Sequence, residues 1–186
     1  MIAIIDNGKG AEDLARMMRG AKVVKPGAIP DDADAYILSD GEMDKKAEAV
    51  NVALIKKSRK PILGVGIGYI YLAKAYGASV IKPSACPKAE RIKIEQRSPI
   101  LLDLKKNFSV VDEQKHAIGD LPEDLGVIAS CPKNPYEVIQ HGANLENPLD
   151  DPLPQFGIHF NPERGLEGKL ILDNFARFVE MWSKYH

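Results

Sequence analysis

Cysteine is scarce in this chain of 186 residues. Cys86 and Cys131 are the only two, too few for a disulfide framework or a four-ligand zinc site. Neither sign of charge dominates: 25 Lys and Arg face 26 Asp and Glu, leaving a formal net charge of -1. That balance gives no bulk attraction to nucleic acid or to an anionic membrane. No apolar run approaches the ~20 residues that span a bilayer. The opening Met1–Asp6 lacks a basic flank and a cleavage site, so it reads as a first strand rather than a signal peptide. Repeats, low-complexity stretches and long linkers are also missing. Apolar residues make up 45%, enough for a good core in one domain over residues 1–186. The expectation is a cytoplasmic protein with no cofactor.

The first half of the chain alternates strands and helices. Ile2–Ile5, Lys22–Lys25, Ala35–Leu38 and Pro61–Val65 read as short strands. Ala11–Arg19 and Asp44–Ser58 carry apolar residues at helical spacing. Pro61–Val65 is apolar throughout, as burial on both faces of a parallel sheet requires. This order predicts a doubly wound α/β fold. In the second half, Ser79–Lys82, Arg91–Glu95, Phe108–Val111, Leu125–Ala129 and Glu137–Gln140 are short strands between Pro/Gly/Asp turns, which suggests a small antiparallel insert. Phe156–Phe160 is the last strand, and Leu166–Tyr185 a long terminal helix.

Two segments carry the chemistry. Pro61-Ile-Leu-Gly-Val-Gly-Ile-Gly-Tyr-Ile70 runs a strand through a glycine turn into a helix expected over Tyr69–Tyr76. Such an elbow displays a reactive side chain above the carboxyl edge of a sheet. Phe156-Gly-Ile-His-Phe-Asn-Pro-Glu163 ends a strand on polar residues. Together they resemble the class I glutamine amidotransferases, whose elbow reads P-I-L-G-[IV]-C-x-G-H-Q and whose later motif reads G-[VI]-Q-F-H-P-E. Asp6-Asn7-Gly8 and Leu38-Ser39-Asp40-Gly41-Glu42, set against D-N-G and L-S-G-G-P, bring the resemblance nearest to the stand-alone glutaminase subunit of archaeal-type GMP synthases. It implies a three-layer, flavodoxin-like fold with a central, mostly parallel sheet.

In that family the Cys attacks the glutamine amide, the His takes its proton and the Glu orients the His. The corresponding positions here are Gly66, Asn161 and Glu163, and only Glu163 is retained. Glycine offers no nucleophile for a covalent intermediate, and Asn161 does not titrate near neutral pH. Losing either member of such a unit costs several orders of magnitude in rate. The pocket positions have changed as well. Ile70 stands for a substrate-holding Gln and Tyr69 for a His. Asp40 replaces a Gly in the oxyanion-hole segment beside Gly41, where an acidic side chain opposes a developing oxyanion. Gly68 is kept. Glu113-Gln114 aligns with a Ser-His pair that contacts the substrate's α-amino acid end.

The remaining candidates have plain readings beside sharper ones. Cys86, in the loop Lys82–Lys88, is a relocated nucleophile or an incidental thiol, and the lack of an adjacent His favours the second. Cys131 reads as a small semi-buried residue. His159, on the expected face of Asn161, is a ligand contact or a satisfied structural histidine. His116, His141 and His186 form no metal-spaced set. Gly64, Gly66 and Gly68 lack the Lys-Ser/Thr of a phosphate loop and fit a strained elbow instead. Lys56, Lys57, Arg59 and Lys60 are a solvated helix end or a docking patch for an acidic partner.

The sequence therefore supports a catalytically degenerate amidotransferase-like protein kept for binding or regulation, with a synthetase subunit or a second copy of itself as partner. The alternative is an active glutaminase subunit that supplies ammonia to a synthetase. A third reading is another hydrolase built on Glu163, His159 or Cys86. If a small-molecule site survives, it lies near Gly66 at the carboxyl edge of the sheet; otherwise Tyr69 or a neighbour fills the old pocket.

Overall fold

The computed structural model describes residues 1–82 and 90–186. Cys86, with the question of a relocated nucleophile, lies outside the described residues. The elements run β1 (Ile2–Ile5), β2 (Gly8–Lys9), α1 (Ala11–Met17), β3 (Lys22–Val24), β4 (Ala35–Leu38), β5 (Asp40–Gly41), α2 (Lys45–Lys57), β6 (Ile62–Val65) and α3 (Ile67–Ala75). They continue as β7 (Val80–Ile81), β8 (Glu90–Ile94), β9 (Asn107–Val110), β10 (Ala117–Ile118), β11 (Leu125–Ser130), β12 (Val138–His141), β13 (Gln155–Ile158) and α4 (Leu166–Tyr185).

The main sheet has the strand order β3-β1-β4-β6-β13-β12-β11-β8-β9. Its first five strands pair in parallel. From β13 onward every pairing is antiparallel. Of the strands expected as an antiparallel insert, β8, β9, β11 and β12 extend the central sheet, whereas β7 does not join it. The small antiparallel pieces are the two-stranded ribbons β7/β10 and β2/β5.

Alternation along the parallel strands builds two cores. Ile4, Ile37, Leu63, Val65, Phe156 and Ile158 face Leu14 of α1 and Ile171, Leu172 and Phe175 of α4. Ala3, Ile5, Tyr36, Leu38 and Ile62 face Ile55 of α2 and the buried residues of α3. Successive side chains point to opposite faces, so strands covered by helices on both sides must be apolar at every position. All four residues of β4 and of β6 are buried. The result is the expected three-layer α/β arrangement.

Local chemistry sets the helix ends. Asp44 caps α2 by accepting the Ala47 N–H at 2.8 Å, an interaction worth about 1 kcal/mol at such a position. Helix α3 starts two residues earlier than the sequence pattern suggests, because Gly66 itself forms its N-cap at φ 55° and ψ -112°. That backbone region is costly for any residue with a Cβ.

Candidate functional site

Four chain segments meet at the carboxyl ends of the parallel strands. Gly66 follows β6, and its N–H donates to Ile158 O at the end of β13 at 3.1 Å. Asp40 follows β4, and Asn161 lies three residues past β13. The loop after β9 adds Gln114. Its register is held by the Asn161 N–H, which donates to Val111 O at 3.2 Å, and by the Gln114 N–H, which donates to Asp112 Oδ1 at 2.9 Å.

The central group is the carboxylate of Asp40, a residue only 2% exposed. Its Oδ1 accepts the backbone N–H of Ile67 at 3.0 Å. Ile67 opens α3, so the carboxylate also sits in the favourable field of a helix N-terminus. Its Oδ2 accepts from Gln114 Nε2 at 3.1 Å and from Asn161 Nδ2 at 3.3 Å. Lys9 Nζ lies 3.7 Å from the same oxygen, on a side chain about half exposed. Gln114 Nε2 also reaches Asn161 Oδ1 at 3.2 Å. Asn161 Nδ2 further donates to Glu163 Oε1 at 3.2 Å, so one amide bridges two carboxylates. Burial is the main influence raising the pKa of Glu163, and the charge of Asp40 adds to it.

Space at the elbow is taken. A Cβ built on Gly66 would overlap Asp40 Oδ1, with Asp40 Cγ at 2.5 Å and Gln114 Nε2 at 2.8 Å. Asp40 thus occupies the volume into which a side chain at residue 66 would project. Gly68 lies so close to β4 that a Cβ would overlap Leu38 O and stand 2.6 Å from Leu38 Cβ. Gly41 abuts the Asn7 carbonyl in the same way. Ile70 is buried in the apolar core under α2 and α3. Tyr69 is also buried, donating its hydroxyl to Tyr136 O at 2.6 Å. Asp40 and Gln114, rather than Tyr69, fill the elbow.

His159 departs from the expectation that it shares its surroundings with Asn161. Its Nδ1 lies 2.7 Å from Asp112 Oδ2 and 3.6 Å from Glu137 Oε1. Its Nε2 lies 2.7 Å from His116 O, and its ring meets Tyr69 edge-on at 5.4 Å. A carbonyl oxygen can only accept, so Nε2 carries a proton. Burial opposes charge on His159, but hydrogen bonds and charges from Asp112 and Glu137 together raise its pKa well above the ordinary value. For Asp112 burial acts upward, yet the His159 hydrogen bond and charge hold its carboxyl below the usual range. Burial raises Glu137. His159 is therefore a satisfied, cationic structural residue that anchors the loop bearing Gln114.

Asp112, Glu137 and His159 are also three groups with metal-ligating atoms within 4.8 Å of one another. The 2.7 Å contact between Nδ1 and Asp112 is hydrogen-bonded spacing.

Among the other candidates, Cys131 is buried, with Sγ 3.6 Å from Glu137 Oε1. His141 accepts the Leu153 N–H at 3.0 Å, and burial lowers its pKa. His186 is exposed against Trp182. Lys60 donates to Asp31 O and Ala33 O, which gives that part of the basic cluster a structural duty. Beside the site, a cavity of about 390 Å³ is lined by Lys9, Gly10, Asp13, Arg16, Met17, Glu163 and Arg164. Sequence reasoning missed the Asp112–Glu137–His159 trio. A His where the family motif has Gln was its only visible trace.

Comparison with known proteins agrees with this fold. The family model for glutamine amidotransferase class-I matches residues 13–163. A glutamine-hydrolyzing GMP synthase subunit of Methanocaldococcus jannaschii is 24% identical over 95% of this chain and 96% of that one. The protein of the same name from Methanothermobacter thermautotrophicus is 28% identical over 79% and 75%. A Thermoplasma acidophilum protein proposed to be a GMP synthase subunit of the same type has a solved structure that superposes with a TM-score of 0.86 at 22% identity, covering 98% of this chain and 95% of that one. No helix among the described residues is long and apolar enough to cross a membrane.

Proposed function

The chain belongs to the class-I glutamine amidotransferases, and on that premise we propose that it is a catalytically degenerate member, retained for binding or regulation without glutaminase activity. One observation carries the reading: the carboxylate of Asp40 fills the place where a nucleophile on residue 66 would stand, and it accepts the Ile67 N–H. Acyl transfer at such an elbow uses the N–H of the residue after the nucleophile to hold the oxyanion. Here that donor is engaged by a fixed negative charge, which opposes a second negative charge on a substrate oxygen.

The other members of the unit point the same way. Asn161 neither accepts nor returns a proton near pH 7, and its amide is committed to Asp40 and Glu163. Glu163 has no imidazole to orient. Ile70 contributes to the core rather than to a polar pocket. Fold retention without catalysis is physically easy, because the alternating core residues are independent of those at the carboxyl edge.

The partner we infer is a synthetase subunit, with a second copy of this chain as the other arrangement. The support is likeness to proteins named as glutamine-hydrolyzing GMP synthase subunits. Those names also sustain the opposing reading, an active glutaminase that delivers ammonia to such a partner. Ammonia release from glutamine, measured on the purified chain alone and with the synthetase present, separates the two. Release at background level in both conditions is the expected result. Release that rises with the partner and is lost on a defined change at the site overturns the proposal.

A further inference from the structure

The donors around Asp40 come from four separate places: the Ile67 N–H at the start of α3, the Gln114 amide after β9, the Asn161 amide after β13, and the Lys9 ammonium on β2. All point at one carboxylate, and that carboxylate belongs to a side chain of only four heavy atoms. We propose that this is a carboxylate-binding site whose resident ligand is Asp40, an autoinhibitory occupant that keeps external carboxylates out. The inference rests on the degenerate reading and deepens it. The elbow keeps an anion site, and the chain itself fills it.

The chemistry of the donors sets the ligand class. Two amides and one backbone N–H donate to the two oxygens and the Lys9 ammonium adds a nearby positive charge, a set that suits a planar monocarboxylate. A neutral amide or alcohol would leave donors unpaired. The cavity of about 390 Å³ shares Lys9 and Glu163 with the surroundings of the site, and Lys9 Nζ lies 3.7 Å from Asp40 Oδ2. An external acid has to compete with a tethered one, whose effective concentration at short range is on the order of millimolar or higher. Weak acids at millimolar levels therefore do not displace Asp40.

Truncation of Asp40 uncovers the site, and the missing atoms define the probe. Asp40→Gly removes a methylene and a carboxylate, the shape of acetate. Asp40→Ala removes the carboxylate alone, the shape of formate. The experiment is thermal unfolding of wild type and both variants in acetate, formate and chloride at matched ionic strength and pH 7, with isothermal titration calorimetry on each. The expected result is a saturable rise in Tm and a Kd of roughly millimolar for acetate with Asp40→Gly and for formate with Asp40→Ala. Chloride should not reproduce it, and wild type should show neither. Adding Gln114→Ala to Asp40→Gly should weaken acetate binding several-fold.

If Asp40→Gly folds poorly, refolding yield in acetate against chloride reads the same site, and Asp40→Ala with formate stands independently. Equal responses to carboxylate and chloride, or an equal response from wild type, overturn the proposal. Ammonia release assayed on the same preparations keeps the two readings apart. Wild type that hydrolyses glutamine sinks the degenerate assignment, whereas absent carboxylate rescue sinks the anion site alone.

Discussion

His159 Nδ1 and Asp112 Oδ2 stand 2.7 Å apart in a part of the protein where both side chains are 1% exposed. This contact ties the end of β13 to the loop after β9. Asp112 Oδ1 in turn accepts the N–H of Gln114, whose amide covers Asp40. The buried pair is therefore linked through Asp112 to the residue that contacts Asp40.

The pair has a pH signature. His159 has a folded pKa raised above its ordinary 6.5. Its contribution to stability is thus complete below the unfolded value and is lost as pH rises from there through the folded value. Urea unfolding from about pH 6 to about pH 9 should show wild type losing stability relative to His159→Gln as pH rises. Proton-coupled nitrogen NMR should show hydrogen on both ring nitrogens at neutral pH. A single protonated nitrogen there, or parallel pH profiles for the two proteins, contradicts the assignment.

Gly66 and Asp40 should be energetically coupled. Gly66→Ala places a Cβ into the Asp40 carboxylate at a backbone conformation that disfavours side chains. Its expected cost is about 2–4 kcal/mol. In the double variant with Asp40→Gly the overlap with the carboxylate disappears, while the 2.8 Å approach to Gln114 Nε2 and the backbone strain remain. A double-mutant cycle by urea denaturation should return a coupling of about 1–2 kcal/mol in the relieving direction. Strict additivity would place the two residues out of contact.

Gly68→Ala tests the packing of α3 on β4. The added methyl meets the backbone oxygen of Leu38 and not a movable side-chain end, so helix and strand must separate. A loss of about 2–3 kcal/mol is expected. Gly77→Ala is the control for space, because nothing lies within 4 Å of a Cβ there, although its φ of 100° adds strain. A smaller loss at Gly68 than at Gly77 would contradict the close approach.

Asn161→Leu removes the amide that bridges Asp40 and Glu163. Both carboxylates lose a donor, at an expected cost of about 1–3 kcal/mol. Chemical denaturation at neutral pH measures it, and a neutral outcome would mean that the bridge carries no stability.

Much of this was legible in the sequence because the relevant physics is local. Pro61–Val65 had to be a strand buried on both faces, and the glycines after it had to mark a sharp entry into a helix. The apolar spacing of Leu166–Tyr185 defined α4 at both ends. The motifs placed Gly66, Asn161 and Glu163 at one edge, where hydrogen bonds now link Asn161 to Glu163 and to the Asp40 carboxylate beside Gly66. The antiparallel strands were visible individually, but their pairing into the main sheet was not, since strand order depends on contacts distant in sequence.

What the sequence determined by itself is the set of side chains available for chemistry: no thiol at residue 66, no imidazole at residue 161, and an acid at residue 40. Only the tertiary structure decided what that acid does. Asp40 was expected as an unfavourable neighbour of a developing oxyanion. Folding instead turns its carboxylate into the elbow, because the missing Cβ of Gly66 leaves the space and donors from four separate segments supply the compensation that a buried charge requires.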